Sequence, residues 1–165
     1  MSLSEPVPIS ALHKVAEFDC GQPDLDNWLK MRAVRNEGRF SRTYVVCDNA
    51  RVAGYYCISA AQVERAFVPK KLGRNAPDAI PVSIIGRLAV DQTFAGRRVG
   101  SSMLADAFRR IATASQIIGV AAILVHAKNE QAKAFYMACA EFVEYPLDSR
   151  ILFLPIETLA DADAF

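Results

Sequence analysis

The chain has 165 residues, 52% of them apolar and 22% charged, with a formal net charge of +1. Those figures suit one globular domain with one core, and they exclude a membrane-spanning helix, because no apolar run approaches the roughly 20 residues a span needs. The charge is uneven: Lys30, Arg32, Arg35, Arg39 and Arg42 are opposed only by Glu37, and a second basic group holds Arg65, Lys70, Lys71 and Arg74.

In chain order, the N-terminus from Met1 to Pro8 has no basic segment leading into a long apolar run. No secretory signal is read there, and the expected compartment is the cytoplasm. Val7 to Leu12 reads as a first short strand. Pro23 suits a first helical turn, and Leu25, Trp28, Leu29 and Arg32 follow at helical spacing, so a helix is predicted over 23–37, ending near Gly38. Thr43–Cys47 and Val52–Val63 read as a hairpin across the turn at Asp48-Asn49-Ala50. Residues 66–79 hold Pro69, Gly73, Asn75 and Pro77, a loop with room for one short helical turn.

Ile80–Asp91 is the next strand. After it, Val99, Met103, Leu104, Ala107, Phe108 and Ile111 repeat with a period near 3.6, which predicts a helix packed on a sheet. Ala121–Ala127 is an unbroken apolar run, the pattern of a strand buried on both faces. Asn129–Ala140 aligns Ala132, Phe135, Tyr136 and Cys139 on a second amphipathic helix, and Phe142–Tyr145 and Ile151–Ile156 close the chain as strands. The order predicts an α/β (α+β) fold, one domain with a central mixed twisted sheet. The strand–helix–strand unit over 80–127 is expected to be parallel and right-handed.

Between the strand ending at Asp91 and the helix lies a short segment with Gly96, Arg97, Arg98 and Gly100. Small residues let backbone approach phosphate oxygens, free N–H groups at a helix start point at the anion, and the helix dipole favours negative charge. The two arginines add cationic side chains. This segment is the candidate site for a pyrophosphate. Cys20, Cys47, Cys57 and Cys139 stand apart, and His13 and His126 are not at metal-ligand spacing, so neither a disulfide framework nor a metal site is expected.

The stretch Arg87–Leu104, followed by Lys128-Asn129-Glu130-Gln131-Ala132-Lys133-Ala134-Phe135-Tyr136, resembles the GCN5-related N-acetyltransferase (GNAT) family. Phe18-Asp19-Cys20-Gly21, Leu25-Asp26, Trp28-Leu29, Gly86–Asp91 and Leu152-Phe153-Leu154-Pro155 are similar to a subgroup, the acetyltransferase toxins of bacterial toxin–antitoxin modules. The resemblance implies a single GNAT-like domain spanning the chain and acetyl-CoA as cofactor. It implies Arg97, Arg98, Val99, Gly100, Ser101 and Ser102 on the pyrophosphate, and Leu88, Ala89 and Val90 on the pantetheine arm. Asn129 and Tyr136 are implied near the thiol end, and Phe135 is a cofactor-binding candidate with core packing as its alternative. It further implies acetylation of the α-amine of aminoacyl-tRNA and a ribbon-helix-helix antitoxin as partner; a chain this small cradles tRNA poorly alone, so a homodimer is expected. The loop departs from the family pattern at Ala95 and Arg98, where a polar residue and a glycine are usual. The segment from Met137 to Phe142 lacks the family's glycine and is one residue longer.

Acyl transfer to an amine needs a neutral nucleophile, a stabilised thioester oxygen and a proton for the leaving sulfur. Tyr136 is the candidate acid, with a core aromatic as its rival role. Asn129 is a cap, a cofactor contact or both. Lys30, Arg32, Arg35, Arg39 and Arg87 are candidate tRNA-phosphate contacts, against solvated helix faces for the first four and pairing with Asp91 for Arg87. His126 reads as a hydrogen-bonded structural residue. Two other functions compete: acetylation of a small amine or protein, which needs no basic clusters, and cofactor binding without catalysis.

Overall fold

The structure is a computed structural model that describes residues 2–159. Its elements are β1 (Val7–Pro8), α1 (Pro23–Met31), α2 (Ala33–Asn36), β2 (Arg42–Asp48), β3 (Arg51–Glu64), α3 (Lys70–Gly73), β4 (Ala79–Val90), α4 (Val99–Ala114), β5 (Ala122–His126), α5 (Glu130–Cys139), β6 (Val143–Tyr145) and β7 (Asp148–Pro155). The strands follow the hydrogen-bonded order β1-β2-β3-β4-β5-β7-β6. Strands β4 and β5 are parallel, while β1–β2, β2–β3, β5–β7 and β6–β7 pair antiparallel. The expected mixed sheet with a parallel strand–helix–strand unit is therefore present. The described residues form two compact units, one running to Ser59 and including Gly86–Ala107, the other made of Ala60–Ile85 and the residues from Phe108 on.

In the first unit, Ile9, Phe18, Trp28, Leu29, Val45, Val52 and Tyr55 form a buried cluster. Each such fully buried side chain contributes about 1.5–3 kcal/mol. Tyr55 organises the cluster. Phe18 meets its ring edge-on at 5.6 Å, Trp28 stacks on it at 5.9 Å, and its hydroxyl donates to the Leu25 carbonyl at 2.6 Å. Burial pushes the Tyr55 phenol well above its ordinary pKa, so it stays a neutral donor. The predicted helix over 23–37 is broken: Arg32, at φ −127°, ends α1 and precedes α2. Asp26, Trp28 and Leu29 are buried before the break and Ala33 just after it.

Gly54 of β3 lies under α4, where an added Cβ would stand 3.0 Å from Met103 Cε and 3.1 Å from Val99 Cγ1. Nearby on the strand, Tyr56 is fully buried, donates its hydroxyl to the buried Asp106 of α4, and stacks on Tyr44 at 5.3 Å. Helix and strand are thus joined by close packing and by a buried polar bond, the combination that fixes the position of a helix end.

In the second unit, Val68, Ile80, Val82, Ala122, Tyr145 and Phe153 form the core cluster. The parallel ladder runs from Val82↔Ala122 to Ile85↔Val125, and β5 then pairs with β7 from Ala122↔Pro155 to His126↔Ile151. Ala122, Ile123 and Val125 are fully buried, so both faces of β5 are covered, as its apolar run requires. His126 departs from expectation. It lies at the strand's end, where alternation turns its side chain outward, and its exposed ring makes no hydrogen bond among the described residues.

Candidate active site

The sheet supplies the first part of the site. The β4–β5 ladder goes no further than Ile85, while β4 continues through Leu88, Ala89 and Val90. Ala89 is buried in the first core cluster, and Leu88 and Val90 are half-buried. The strand is stopped by Asp91, whose N–H donates to Ala53 O at 2.8 Å.

The Asp91 carboxylate is buried and fully engaged. It accepts from Asp19 N at 2.9 Å, from Thr93 N at 2.8 Å and from the Thr93 hydroxyl, and Arg51 Nη2 stands 3.7 Å away. Burial alone would raise its pKa; the Thr93 hydroxyl, the Asp19 and Thr93 N–H groups and Arg51 outweigh it, so the net shift is downward. Asp91 is thus an ionised anchor for the following loop. It does not pair with Arg87, which removes one of the two roles open to that arginine.

The loop then turns sharply. Gly96 has φ +80° and Arg98 has φ +60°, both left-handed. Alternation of left-handed residues with ordinary ones makes a nest of N–H groups that suits an anion. The conformation usually given to glycine is therefore kept here at an arginine, at a cost of about 1–2 kcal/mol. The Arg98 carbonyl accepts from Ser102 N at 3.1 Å and from the Ser101 hydroxyl at 3.2 Å, which opens α4. Val99 is buried, Gly100 half-buried, and Ser101 and Ser102 exposed. Arg97 is exposed but not loose: its guanidinium lies 5.4 Å over the Phe94 ring, as does that of Arg51. Helix α4 thus begins at Val99 and takes in Gly100, with two cationic side chains beside its unsatisfied N–H groups.

In the second unit, Asn129 is a cap: its side-chain oxygen accepts from Ala132 N at 2.8 Å. Glu130, in the first turn, is paired loosely with Arg150 at 3.8 Å. Tyr136 is buried, with Phe135 edge-on at 5.4 Å and Phe142 edge-on at 5.9 Å. Phe142 also meets Phe108 at 6.1 Å. The longer segment after Tyr136 ends the helix without glycine: Ala140 is extended at φ −159° instead of left-handed, and Phe142 still reaches the tyrosine.

The basic residues lie in the first unit. Lys30, Arg32, Arg35 and Arg39 are exposed. Lys30, Arg32 and Arg35 have no ion pair among the described residues, Arg39 covers Phe40 at 5.2 Å, and Arg42 is paired with Glu37 at 3.7 Å. Arg87 is different in kind. Its guanidinium stands 4.2 Å over the indole of Trp28 and contacts Cys57 Sγ at 3.9 Å. Burial pushes all four thiols above their ordinary pKa, Cys20 to about 11, so none is a poised nucleophile. Among the described residues no group of His, Cys, Asp and Glu could hold a metal ion, and no helix is long and apolar enough to cross a membrane.

Sequence reasoning passes over two parts of the site, the Asp91 anchor and the glycine under α4. Both depend on residues brought together from distant parts of the chain. Asp91 does carry one signal, an acid between a strand and a Thr-containing turn.

Comparison with known proteins adds to this geometry. A sequence model of the Acetyltransferase (GNAT) family matches residues 9–141. A tRNA-acetylating toxin of Mycobacterium tuberculosis is 42% identical over 135 residues, covering 81% of each chain. The structure of AtaT complexed with acetyl-methionyl-tRNAfMet superposes with TM-score 0.88 at 27% identity, over 98% of this chain and 99% of that one. A tyrosine-to-phenylalanine variant of the AtaT toxin, bound to the C-terminus of the antitoxin AtaR and to acetyl-CoA, superposes with TM-score 0.84 at 26% identity, over 99% of each.

Proposed function

The chain belongs to the Acetyltransferase (GNAT) family, and we propose that it moves the acetyl group of acetyl-CoA onto the α-amine of an amino acid esterified to tRNA. It is an N-acetyltransferase whose cofactor is acetyl-CoA. In this reading the acetylated product cannot accept a growing peptide, translation stops, and the protein is a single-domain toxin. The similarity to a tRNA-acetylating toxin supports the acceptor. The observation that carries it is physical: Lys30, Arg32 and Arg35 are exposed cations without ion pairs among the described residues, in the same unit as the anion nest. A small amine needs no such surface; a polyanion does.

Left-handed Gly96 and Arg98 immediately before a helix start support a pyrophosphate at this loop, since such backbone offers N–H groups to an anion. When bound, the cofactor supplies an activated thioester. In the proposed division of labour, the backbone from Arg98 to Ser102, with Arg97 and Arg98, holds the pyrophosphate. Leu88, Ala89 and Val90 orient the pantetheine arm, and an N–H near Val90 draws charge from the thioester carbonyl. Asn129 and Phe135 line the arm's thiol end, and Tyr136 Oη gives its proton to the departing sulfur. No strong base is required, since an α-amine titrates near pH ~8 and is partly neutral in the cell. The proposed setting is a cytoplasmic homodimer held in check by a ribbon-helix-helix antitoxin.

The test is incubation with acetyl-CoA and a mixture of charged tRNAs, followed by mass spectrometry of the terminal nucleoside. Acetylated aminoacyl-adenosine is expected. Acetylation of free amines alone would replace this reading with that of a small-amine enzyme.

A further inference from the structure

A pocket of about 520 Å³ opens beside α1, and Asp24 and Asn27 line it together with Leu25, Trp28, Met31, Arg32, Gly86 and Arg87. All its residues lie in the first unit. Leu25, Trp28 and Met31 give it an apolar wall, and the guanidinium groups of Arg32 and Arg87 outnumber the carboxylate of Asp24 on its lining. Arg87 is held in place by the indole at 4.2 Å and by Cys57, and it has no carboxylate partner among the described residues. A half-buried arginine fixed against an aromatic ring, with its charge uncompensated, is prepared for an anion or a planar polar group. The floor carries a second sign. Gly86 is exposed, its φ lies outside the left-handed region, and a Cβ there would meet only Cys57 Sγ, at an ordinary 3.5 Å. Neither its own backbone nor its neighbours require glycine. The missing side chain leaves room in the pocket.

We infer that this pocket receives the 3′-terminal nucleotide of the charged tRNA, the base against Leu25 and Met31 and the phosphate on Arg87 and Arg32. The inference rests on the reading that aminoacyl-tRNA is the acceptor, and it assigns Arg87 and Arg32 a different task from Lys30 of α1 and Arg35 of α2. Those meet the body of the polyanion; Arg87 and Arg32 grip its last nucleotide. The volume suits one nucleotide and not a stem. Single-stranded ends are recognised in this way, by apolar and guanidinium surfaces under the base and charge-assisted bonds to the phosphate.

The test uses the whole protein with two acceptors, an aminoacyl-CCA trinucleotide and the methyl ester of the same amino acid. Arg87→Lys keeps the charge but loses the planar fork, and Arg87→Gln loses both. On the trinucleotide, KM is expected to rise roughly tenfold for Lys and further for Gln, while acetyl-CoA affinity stays within twofold. On the methyl ester, wild type and variants are expected to react alike. Gly86→Ala is the second variant; it fills the floor without a clash and is expected to raise KM for the trinucleotide alone. Unchanged trinucleotide kinetics in all three variants would overturn the inference and leave the tRNA reading standing. An equal loss on the methyl ester would place the amino-acid side chain in the pocket and overturn it too. A wild-type protein that acetylates neither charged tRNA nor the trinucleotide removes both readings.

Discussion

The N–H of Asp19 donates to the carboxylate of Asp91 at 2.9 Å, joining the turn before α1 to the residue that ends β4. Thr93 and Arg51 complete the shell around the same carboxylate. Gln92 N donates in turn to Asp19 O at 2.9 Å, so the two segments are laced in both directions. The loop that carries Gly96 and Arg98 therefore leaves from a fixed point.

Asp91→Asn is expected to cost about 1.5–3 kcal/mol at neutral pH, since it removes a charge that three donors surround. The folded pKa of Asp91 is lowered, so its contribution is complete above the unfolded carboxylate value of about 3.9 and is lost as pH falls through the lower folded value. Urea unfolding of both proteins at several pH values checks this. The gap between them is expected to close below about pH 4, and a gap that widened in acid would contradict the role.

Arg98→Gly is expected to stabilise the protein by about 0.5–1 kcal/mol, the relief of left-handed strain less the extra freedom of an unfolded glycine. Thermal melting reads the change. A lower melting temperature would mean that the arginine side chain repays the strain of φ +60°.

Tyr136→Phe is expected to lower kcat by about 10²-fold or more while acetyl-CoA affinity stays within twofold. The ring contacts to Phe135 and Phe142 survive the change. Single-turnover acetylation separates chemistry from binding; an unaltered rate would remove tyrosine from the proton transfer.

Replacing Lys30 and Arg35 together by Ala should flatten the dependence of log K for charged tRNA on log salt, by about 0.7–0.9 for each phosphate that is no longer neutralised. Titrations between low and physiological salt give the slope directly. An unchanged slope would make these residues a solvated face.

Much of this fold is legible where burial is periodic. Val99, Met103, Leu104, Ala107, Phe108 and Ile111 are all buried residues of α4, and successive residues Ala122 and Ile123 of β5 are buried on its opposite faces. Asn129 is readable as a cap because capping is local chemistry. The break at Arg32 is not, since helical spacing continues through it and only packing decides where the axis turns. The left-handed Arg98 is not either: an arginine gives no local signal for φ above zero, and the surrounding loop imposes it. For Arg87 the sequence offers Asp91 or a phosphate, because it displays neighbours along the chain. The indole that holds the guanidinium, at 4.2 Å, belongs to a helix far away in sequence.

The bare backbone at Gly54 has a consequence for affinity. Val99 and Met103 come within about 3.1 Å of where a methyl group would stand, so the first turn of α4 packs closely on the strand. A single added carbon there would act as a shim, raising the rim of N–H groups by a few tenths of an ångström without touching any ligand. The strength of the proposed phosphate cradle would thus be partly set from beneath, at Gly54.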